Sequence, residues 1–280
     1  MEKTLYIDAS NPNETRVVLK SNGNIEDYEY ESIKNTLIKN NIYLGKVSRV
    51  EPSLQAAFID FGKERHGFLS FNDIQSDYYQ IPQTDLEKIK QEEEEAREKL
   101  LKESEKEEEQ NIIENNVDLN DPVEKTPEQN VNSEKPLTEK KYPIKRYKIQ
   151  EVIKPNQVIL VQVLKDERGF KGAALSTFIS IAGKYIVLMP NTPKGGGISR
   201  KIFNPSERKK IRSILNQIII PKEMGIIVRT AGSNKTKNEI ERDLQNLIKV
   251  WESIKENAMN SIAPSLIHKE SEIIKRTLRD

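Results

Sequence analysis

The alternation of hydrophobic and polar positions predicts short β-strands at the start of the sequence. Strand-like runs cover Lys3–Ala9, Thr15–Lys20 and Ile25–Glu31. The last two runs flank Asn22-Gly23, and an Asn-Gly pair between such runs is typical of a tight hairpin turn. The pattern therefore predicts a small antiparallel sheet.

A second group of strands follows this sheet. Runs rich in β-branched and aromatic residues cover Ile42–Val50, Ala56–Phe61 and His66–Leu69. Similar sequence resumes much later, at Val158–Leu164 and Lys171–Thr177. Short strands with turns between them indicate a small barrel, which the intervening segment interrupts.

The remaining residues combine strands and helices. Strands are predicted at Ile181–Met189 and Met224–Thr230, and Gly195–Gly197 between them is interpreted as a flexible turn, because it lacks the lysine and hydroxyl of a phosphate-binding loop. A helix opens at Asn204-Pro205-Ser206, where Asn or Ser can act as the cap. Another helix is expected from Glu270 to Arg279.

An amphipathic helix is predicted from Lys237 to Asn257. Its apolar positions recur at helical spacing, and they are Ile240, Leu244, Leu247, Ile248, Trp251 and Ile254. Because Trp251 lies on this stripe, we interpret it as a core residue.

Charge is strongly segregated along the 280 residues, although the net charge is only +1. Residues 91–140 contain 17 acidic and 7 basic side chains, which leaves 27 acidic and 38 basic side chains elsewhere. A basic folded part suits a polyanionic partner, although a solubilising surface would have the same charge. The acidic segment, residues 86–140, is too polar to bury a core; we expect a solvated helix over 86–109 and disorder over 111–140.

Composition also limits the class of protein. The chain has no cysteine, which excludes disulfides and cysteine-bound zinc within it. Its N-terminal residues do not resemble a signal peptide, and we see no apolar run long enough to span a membrane. We therefore expect a cytoplasmic protein of one to three small domains.

Catalytic motifs are missing from the sequence pattern. The only two histidines are His66 and His268, and no zinc spacing or Ser-His-Asp motif is recognisable. Asp8 and Asp60 lie in predicted strands, but nothing in the sequence pairs them. We therefore expect no active site within these residues.

A nucleic-acid binding surface is the better candidate. Phenylalanines 58, 61 and 68 lie in the predicted barrel strands, and basic residues surround them, namely Lys46, Arg49, Lys63, Arg65, Arg168 and Lys171. Small barrels bind single strands by stacking bases on aromatic side chains beside a cationic groove. Alternation alone does not tell which phenylalanine faces outward, and for any one of them a core position is the better interpretation.

Several long motifs resemble the ribonuclease E/G family in the same order along the chain. They are the S1-domain-like segment Asn41–Leu69, then Lys165–Pro190, Gly197–Arg200 and Ile226–Gly232. The resemblance implies an α+β fold: a five-stranded oligonucleotide-binding (S1) barrel with a long acidic insertion, a 5′-sensor region and a ribonuclease-H-like α/β subdomain. The implied boundaries are 1–38 and 233–280 for that subdomain, 39–178 for the barrel and 179–232 for the sensor.

The resemblance also implies binding residues. Positions matching Phe58, Phe68 and Lys171 contact RNA in the family, which reverses the core interpretation for these two phenylalanines. Positions matching Arg229 and Thr230 hold the 5′-monophosphate of the substrate, and those matching Gly183, Val187 and Arg200 shape that pocket or lie near it. An arginine fork with a hydroxyl suits a terminal phosphate, although an ordinary surface ion pair remains the alternative for Arg229.

The implied activity is magnesium-dependent, single-strand-specific cleavage of RNA in processing and decay. The family's magnesium-binding aspartates and zinc-binding cysteines match positions beyond this sequence, so we expect a portion truncated before the catalytic domain, with Mg²⁺ and structural Zn²⁺ belonging to a full-length homo-oligomer. A standalone RNA-binding or regulatory protein is the alternative. A third possibility is a structural partner of an RNA-degrading assembly that docks through the acidic segment.

Overall fold

The computed structural model has mixed α and β structure, as predicted, and the chain divides into two compact units. One unit comprises residues 1–81 and 148–280, and the other comprises residues 82–147. The structure describes residues 3–32, 38–92, 95, 147–169, 171–192, 197–221, 223–270 and 273–279.

The predicted N-terminal sheet is confirmed. It contains β1 (Lys3–Asp8), β2 (Glu14–Ser21) and β3 (Asn24–Ser32), antiparallel and in that order. Asn22 and Gly23 both have positive φ, 48° and 91°, as a two-residue hairpin of this type requires.

The predicted barrel is also confirmed, and it closes on itself. Its elements are β4 (Ile42–Glu51), β5 (Ala56–Asp60), β6 (Gly67–Ser70), the short helix α1 (Ile149–Val152), β7 (Val158–Lys165) and β8 (Ala174–Ser176). The strands follow the order β4-β5-β6-β8-β7, and β7 pairs back with β4. This closed five-stranded barrel is consistent with an S1-like oligonucleotide-binding fold.

Large apolar side chains fill the barrel. Ile59, Phe61, Leu69 and Leu175 are at most 1% exposed. The ring of Tyr43 meets that of Phe61 edge to face, with centroids 5.1 Å apart. Full burial of each such side chain stabilises the fold by about 1.5–3 kcal/mol. Because these side chains fill the interior, the outer face of the barrel is available for other roles.

A four-stranded sheet follows the barrel. It contains β9 (Ile181–Ala182), β10 (Ile186–Met189), β11 (Gly197–Ile198) and β12 (Gly225–Val228), in the order β11-β12-β10-β9. Gly197 is thus in a strand that pairs parallel to β12, and not in the flexible turn expected from the sequence. Gly195 and Gly196 lie outside the described residues.

Two helices belong to this part of the unit, α2 (Pro205–Leu215) and α3 (Lys237–Asn260). Asn204 caps α2, and Thr236 with Glu239 forms a capping box at α3. The predicted stripe of α3 faces the core: Ile240, Leu244, Leu247 and Ile254 are buried. Trp251 is half-buried and packs against the same core, as the core interpretation predicts.

The C-terminal residues add one strand that the sequence did not predict. β13 (Ser265–His268) pairs antiparallel with the first half of β4, with Ser265 opposite Leu44. The chain then forms α4 (Ile273–Arg279), from which Arg276 bonds to Glu29 of β3 at 2.8 Å. This helix therefore packs against the N-terminal sheet. The domain division implied by the resemblance, with boundaries after residues 38, 178 and 232, stays a prediction.

The second unit is helical over residues 83–92. The Tyr147 hydroxyl donates a hydrogen bond to Asp85, at 2.7 Å. Most of the acidic segment, including the disorder expected over residues 111–140, lies outside the described residues. No helix in the described part of the chain is long and apolar enough to cross a membrane.

Candidate nucleic-acid interface

A row of side chains crosses the outer face of the barrel. Phe58 of β5 lies directly opposite Phe68 of β6, and their rings meet at 77° with centroids 6.0 Å apart. Phe68 is 37% exposed and Phe58 is half-buried. The two phenylalanines therefore line the surface, in contrast to Phe61, which is in the core.

Arg49 extends this row on the neighbouring strand. It lies opposite Phe58, and its guanidinium carbon is 4.4 Å from the centre of that ring. The register shifts between Val47 and Arg49, which leaves Ser48 as an extra residue. Such a bulge re-aims side chains; here it places Arg49 on the face of Phe58.

The other end of the row is also basic. Phe68 lies opposite Ala174 of β8, which in turn lies opposite Lys165 of β7. Lys165 lies just after the strand Val158–Leu164 that the sequence predicts, and it was not among the basic residues expected around the phenylalanines. The aromatic pair thus has a cation on each side.

A basic rim lies where two loops of the barrel meet. Arg168 and Lys171 exchange two backbone hydrogen bonds of 3.1 and 3.0 Å. The guanidinium of Arg65, in the preceding loop, donates to the carbonyl oxygen of Gly169. Lys171 is exposed, and the backbone two residues later bonds to Phe68. The loops therefore hold Lys171 near the aromatic pair.

Such an arrangement is chemically suited to a single strand of nucleic acid, bound without regard to its sequence. Bases stack on phenylalanine rings with about 1–3 kcal/mol each, and arginine and lysine attract the phosphates. Phe68 is the more exposed of the two rings, and Arg49 lies over one face of Phe58.

A second candidate site lies at the turn between β9 and β10. The Gly183 N–H donates to the Ile186 carbonyl at 2.8 Å, and Val187 lies opposite Ala182. A Cβ atom at Gly183 would lie 2.7 Å from the Asp243 carboxylate and 2.8 Å from the Leu247 side chain. The same Cβ atom would lie 2.9 Å from the backbone carbonyl oxygen of Ile186, which cannot move aside as a side chain can, so the turn requires glycine at this position.

Arg229 is fixed against this turn. Its guanidinium donates to the Gly183 carbonyl at 2.9 Å, and its backbone N–H donates to the Tyr185 carbonyl at 2.8 Å. Thr230, the next residue, is exposed and begins a 3-10 turn that ends at Gly232. The structure therefore brings Gly183, Arg229 and Thr230 together.

The other two expected residues occupy the same sheet. Val187 is half-buried in β10, opposite Ile227. Arg200 is exposed and follows β11, whose continuation at Ser199 donates to the Val228 carbonyl at 2.9 Å. Because β11 and β12 run parallel, Arg200 emerges at the same end of the sheet as Arg229.

Asp243 supports the turn but was missed by the sequence analysis. One carboxylate oxygen accepts hydrogen bonds from the N–H groups of Tyr185 and Ile186, at 2.8 and 3.2 Å. The other oxygen accepts a hydrogen bond from the backbone N–H of Lys184 at 3.4 Å. Asp243 lies three residues after Ile240, at the edge of the apolar stripe of α3. A carboxylate at such a boundary is the signal that would have identified it.

Two lysines flank the ring of Tyr185 in this turn. The Lys184 and Lys235 ammonium groups lie 5.3 and 5.0 Å from the ring centre. Lys235 also forms an ion pair of 3.4 Å with Glu239, and this hydrogen bond raises the pKa of Lys235 above its ordinary value. The Lys235 ammonium therefore stays protonated at neutral pH, and the two lysines make the turn suitable for an anion.

The described residues contain no group of three or more histidine, aspartate or glutamate side chains arranged to hold a metal ion. The two candidate sites accordingly have donors and cations for phosphate groups, and not a carboxylate cluster. Neither site supplies ligands that fit Mg²⁺.

Comparison with known proteins gives a matching family model and several relatives. A family model described as the Ribonuclease E/G family matches residues 180–280. The chain is 36% identical to ribonuclease E of Haemophilus influenzae over 278 residues, which is 99% of this chain and 23% of that protein. It is also 36% identical over 278 residues to ribonuclease E of Escherichia coli, 21% of whose length it covers.

A more distant relative has the other family name. Ribonuclease G of Escherichia coli is 28% identical over 269 residues, which is 96% of this chain and 43% of that protein. The chain therefore spans less than half the length of each of these three relatives. The similarity covers both candidate sites.

Proposed function

This chain belongs to the ribonuclease E/G family, and from that premise we propose that it is the RNA-binding and 5′-monophosphate-sensing portion of an endoribonuclease. The enzyme would act on single-stranded RNA in processing and decay, and the chain would hold the substrate while other residues cleave it. The row formed by Arg49, Phe58 and Phe68 carries the proposal, since it joins two surface aromatic rings to a cation on a closed barrel.

The barrel is the general binding site in this proposal. Phe58 and Phe68 stack successive bases, and Lys171 at the adjacent rim attracts a phosphate. These contacts depend on features that every nucleotide has, so they favour a single strand of any sequence. A duplex, whose bases are already stacked, would gain little from the two rings.

The turn at Gly183 is the end sensor in this proposal. In this proposal Arg229 and the exposed Thr230 that follows it contact the phosphate, while Gly183 and Val187 shape the backbone around them and Arg200 adds a positive charge at the same end of the sheet. A terminal monophosphate carries about −1.5 to −2 charges, more than a phosphodiester, and a guanidinium binds it through paired hydrogen bonds. The pocket would therefore prefer a phosphorylated 5′ end over a hydroxyl.

Cleavage would use Mg²⁺ held by residues outside this chain, as the family resemblance implies. The chain has no cysteine, so the thiolate ligands of a structural Zn²⁺ would also be supplied elsewhere. We further propose that the full-length protein is a cytoplasmic homo-oligomer, as the family resemblance implies.

Binding of matched RNAs tests the proposal. A single-stranded RNA of about ten nucleotides, within the range that one such barrel covers, is prepared with a 5′-monophosphate or a 5′-hydroxyl and titrated by fluorescence anisotropy across a salt series. We expect tighter binding of the monophosphate. Equal affinity for the two ends would contradict end sensing, and no binding to either would contradict the whole proposal.

Substitution of Arg229 locates the sensor. Arg229→Ala should remove the preference for the monophosphate but leave binding of the hydroxyl RNA nearly unchanged, because the barrel is intact. Arg229→Lys keeps the charge but loses the planar fork, so it should restore only part of the preference. Arg16→Ala, which removes an exposed arginine from the N-terminal sheet, is the matched control.

A further inference from the structure

The loop from β11 to α2 presents an aromatic side chain to solvent. Phe203 is 86% exposed, whereas its neighbour Ile202 is 5% exposed and belongs to the hydrophobic core. Lys201 in the same loop is exposed. A phenylalanine almost wholly in water contributes little to folding, so its position calls for an explanation other than packing.

Helix capping does not explain Phe203. Residues just before a cap often pack against the fourth residue of the helix. Here the cap is Asn204, and the fourth helical residue is Arg208. The Arg208 guanidinium instead donates to the carbonyls of Ser199 and Ile202, at 3.2 and 3.3 Å.

The same contacts make the loop rigid. Ser199 donates to the Val228 carbonyl at 2.9 Å, and Ile202 donates to the Ser199 carbonyl at 3.1 Å. Arg208 ties the carbonyls of Ser199 and Ile202 to α2, and the buried Ile202 side chain anchors the centre. The backbone that carries Phe203 is therefore fixed before any ligand arrives, which lowers the entropy cost of binding.

Charge identifies the class of ligand. Residues 199–217 contain six basic side chains and one acidic side chain, Glu207. Lys209 and Lys210 of α2 are exposed, as is Lys201. Aromatic rings beside such a basic surface suit single-stranded nucleic acid, whose bases stack and whose phosphates are anionic.

The position of the loop indicates which part of an RNA it would contact. Ser199 bonds to Val228, the last residue of β12, directly before Arg229. The loop therefore starts beside the Arg229 and Thr230 pair. An RNA whose 5′ phosphate is held there has its first nucleotides within the neighbourhood of this loop.

We propose that Phe203 and Lys201 form a subsite that stacks a nucleobase close to the 5′ end of single-stranded RNA and pairs with its backbone phosphate. The subsite rests on the proposed function, since Arg229 positions the RNA end. It would give the sensor affinity for the first nucleotides as well as for the phosphate.

The test uses a 5′-monophosphorylated RNA of about ten nucleotides, within the span of one such barrel, with 2-aminopurine at one of the first three positions. Stacking quenches the fluorescence of this base. We expect quenching on binding to the unmodified chain and to Phe203→Trp, but not to Phe203→Ala. The alanine variant should bind about fivefold or more weakly, because one stacking contact is lost.

Ile219→Ala is the matched control, since Ile219 is an exposed apolar residue (93%) of the same region. It should change neither quenching nor affinity. In a plot of log affinity against log salt, Lys201→Gln should make the negative slope shallower by about 0.7, the value for one phosphate on a single strand.

Three results would overturn the proposal, and they differ from each other. If the chain prefers the monophosphate but Phe203→Ala behaves like Ile219→Ala, the subsite is wrong and the sensor stands. If the chain binds both end types equally, the proposed function fails and the subsite loses its location. If Phe203→Ala weakens binding to phosphatidylglycerol vesicles but not to RNA, the loop binds a lipid surface instead.

Discussion

Replacing Asp243 should weaken the preference for a 5′-monophosphate end without removing RNA binding by the barrel. Its carboxylate makes two good hydrogen bonds to the turn, with the N–H groups of Tyr185 and Ile186, and one long bond to Lys184. Three N–H groups of the turn bond to this one carboxylate, and the Gly183 carbonyl of the same turn is the acceptor for Arg229. Loss of the carboxylate should therefore let the turn move and misplace the arginine.

The expected magnitude follows from these bonds. A hydrogen bond to a charged group contributes about 1.5–3 kcal/mol, and Asp243 is only half-buried, so the lower value applies to each of the two short bonds. Asp243→Ala should lower the free energy of unfolding by about 2–3 kcal/mol on this basis. Asp243→Asn keeps one neutral acceptor oxygen and should cost about 1 kcal/mol.

Two measurements on the same variants check this reasoning. Urea unfolding gives the loss of stability, and anisotropy with 5′-monophosphate and 5′-hydroxyl RNA gives the preference. We expect Asp243→Ala to lose most of the preference at a temperature where it is fully folded, with Asp243→Asn in between. Glu241→Ala removes an exposed carboxylate two residues earlier and controls for net charge. An Asp243→Ala variant that matches Glu241→Ala in both measurements would refute the argument.

The remaining predictions concern the barrel and its junction. Changing Phe58 and Phe68 together to Ala should weaken anisotropy-detected binding of both RNA end types about tenfold or more without altering the end preference; unchanged affinity would remove them from the groove. Gly172→Ala would place a Cβ atom 2.2 Å from the His66 carbonyl oxygen, and overpacking should lower the free energy of urea unfolding by about 1–3 kcal/mol; an unchanged midpoint would contradict this close approach. Burial lowers the pKa of His268 below its ordinary 6.5, so the unfolded chain binds more protons just below that pH and stability should fall as the pH drops through it. His268→Gln should flatten this part of the pH dependence of the melting temperature, and an identical dependence would show that His268 does not cause it.

The barrel was predictable because its signals are local. Alternating runs, a proline after β4 and glycines between strands mark each element within a few residues of its observed bounds. The helices α2 and α3 were predictable for the same reason, since their caps and apolar spacing are written in adjacent residues. Such signals need no knowledge of what packs on top.

Strand β13 was not predictable in this way. It is four residues long, and only Ile267 is buried. Its hydrogen bonds go to β4, more than 200 positions earlier in the chain. A short segment without alternation becomes a strand only because an unpaired edge of β4 is available. That edge exists only in the tertiary structure, so the sequence of the segment does not reveal it.

The sequence pattern also did not show which side chains of the barrel strands face outward. In β5 both Ala56 and Ala57 are buried, so simple alternation fails just before Phe58. In β4 the extra residue Ser48 shifts the register and brings Arg49 over the Phe58 ring. Resemblance to a family, and not periodicity, pointed to Phe58 and Phe68 as surface residues.

Buried polar contacts fix the aromatic row relative to the sensor turn. Gln162 of β7 is 1% exposed, and its amide makes hydrogen bonds of 2.8 Å to both backbone groups of Ser180, directly before β9. Asn191 after β10 bonds to the Thr177 carbonyl after β8 at 2.7 Å. Both ends of the β9–β10 hairpin, which contains the Gly183 turn, are therefore tied to the barrel.

Because the aromatic row and the Gly183 turn cannot approach each other, an RNA shorter than their separation engages one site at a time. Only a longer RNA gains the multiplied affinity of both sites. End preference should thus appear together with a threshold in RNA length, which a purely local phosphate pocket would not produce.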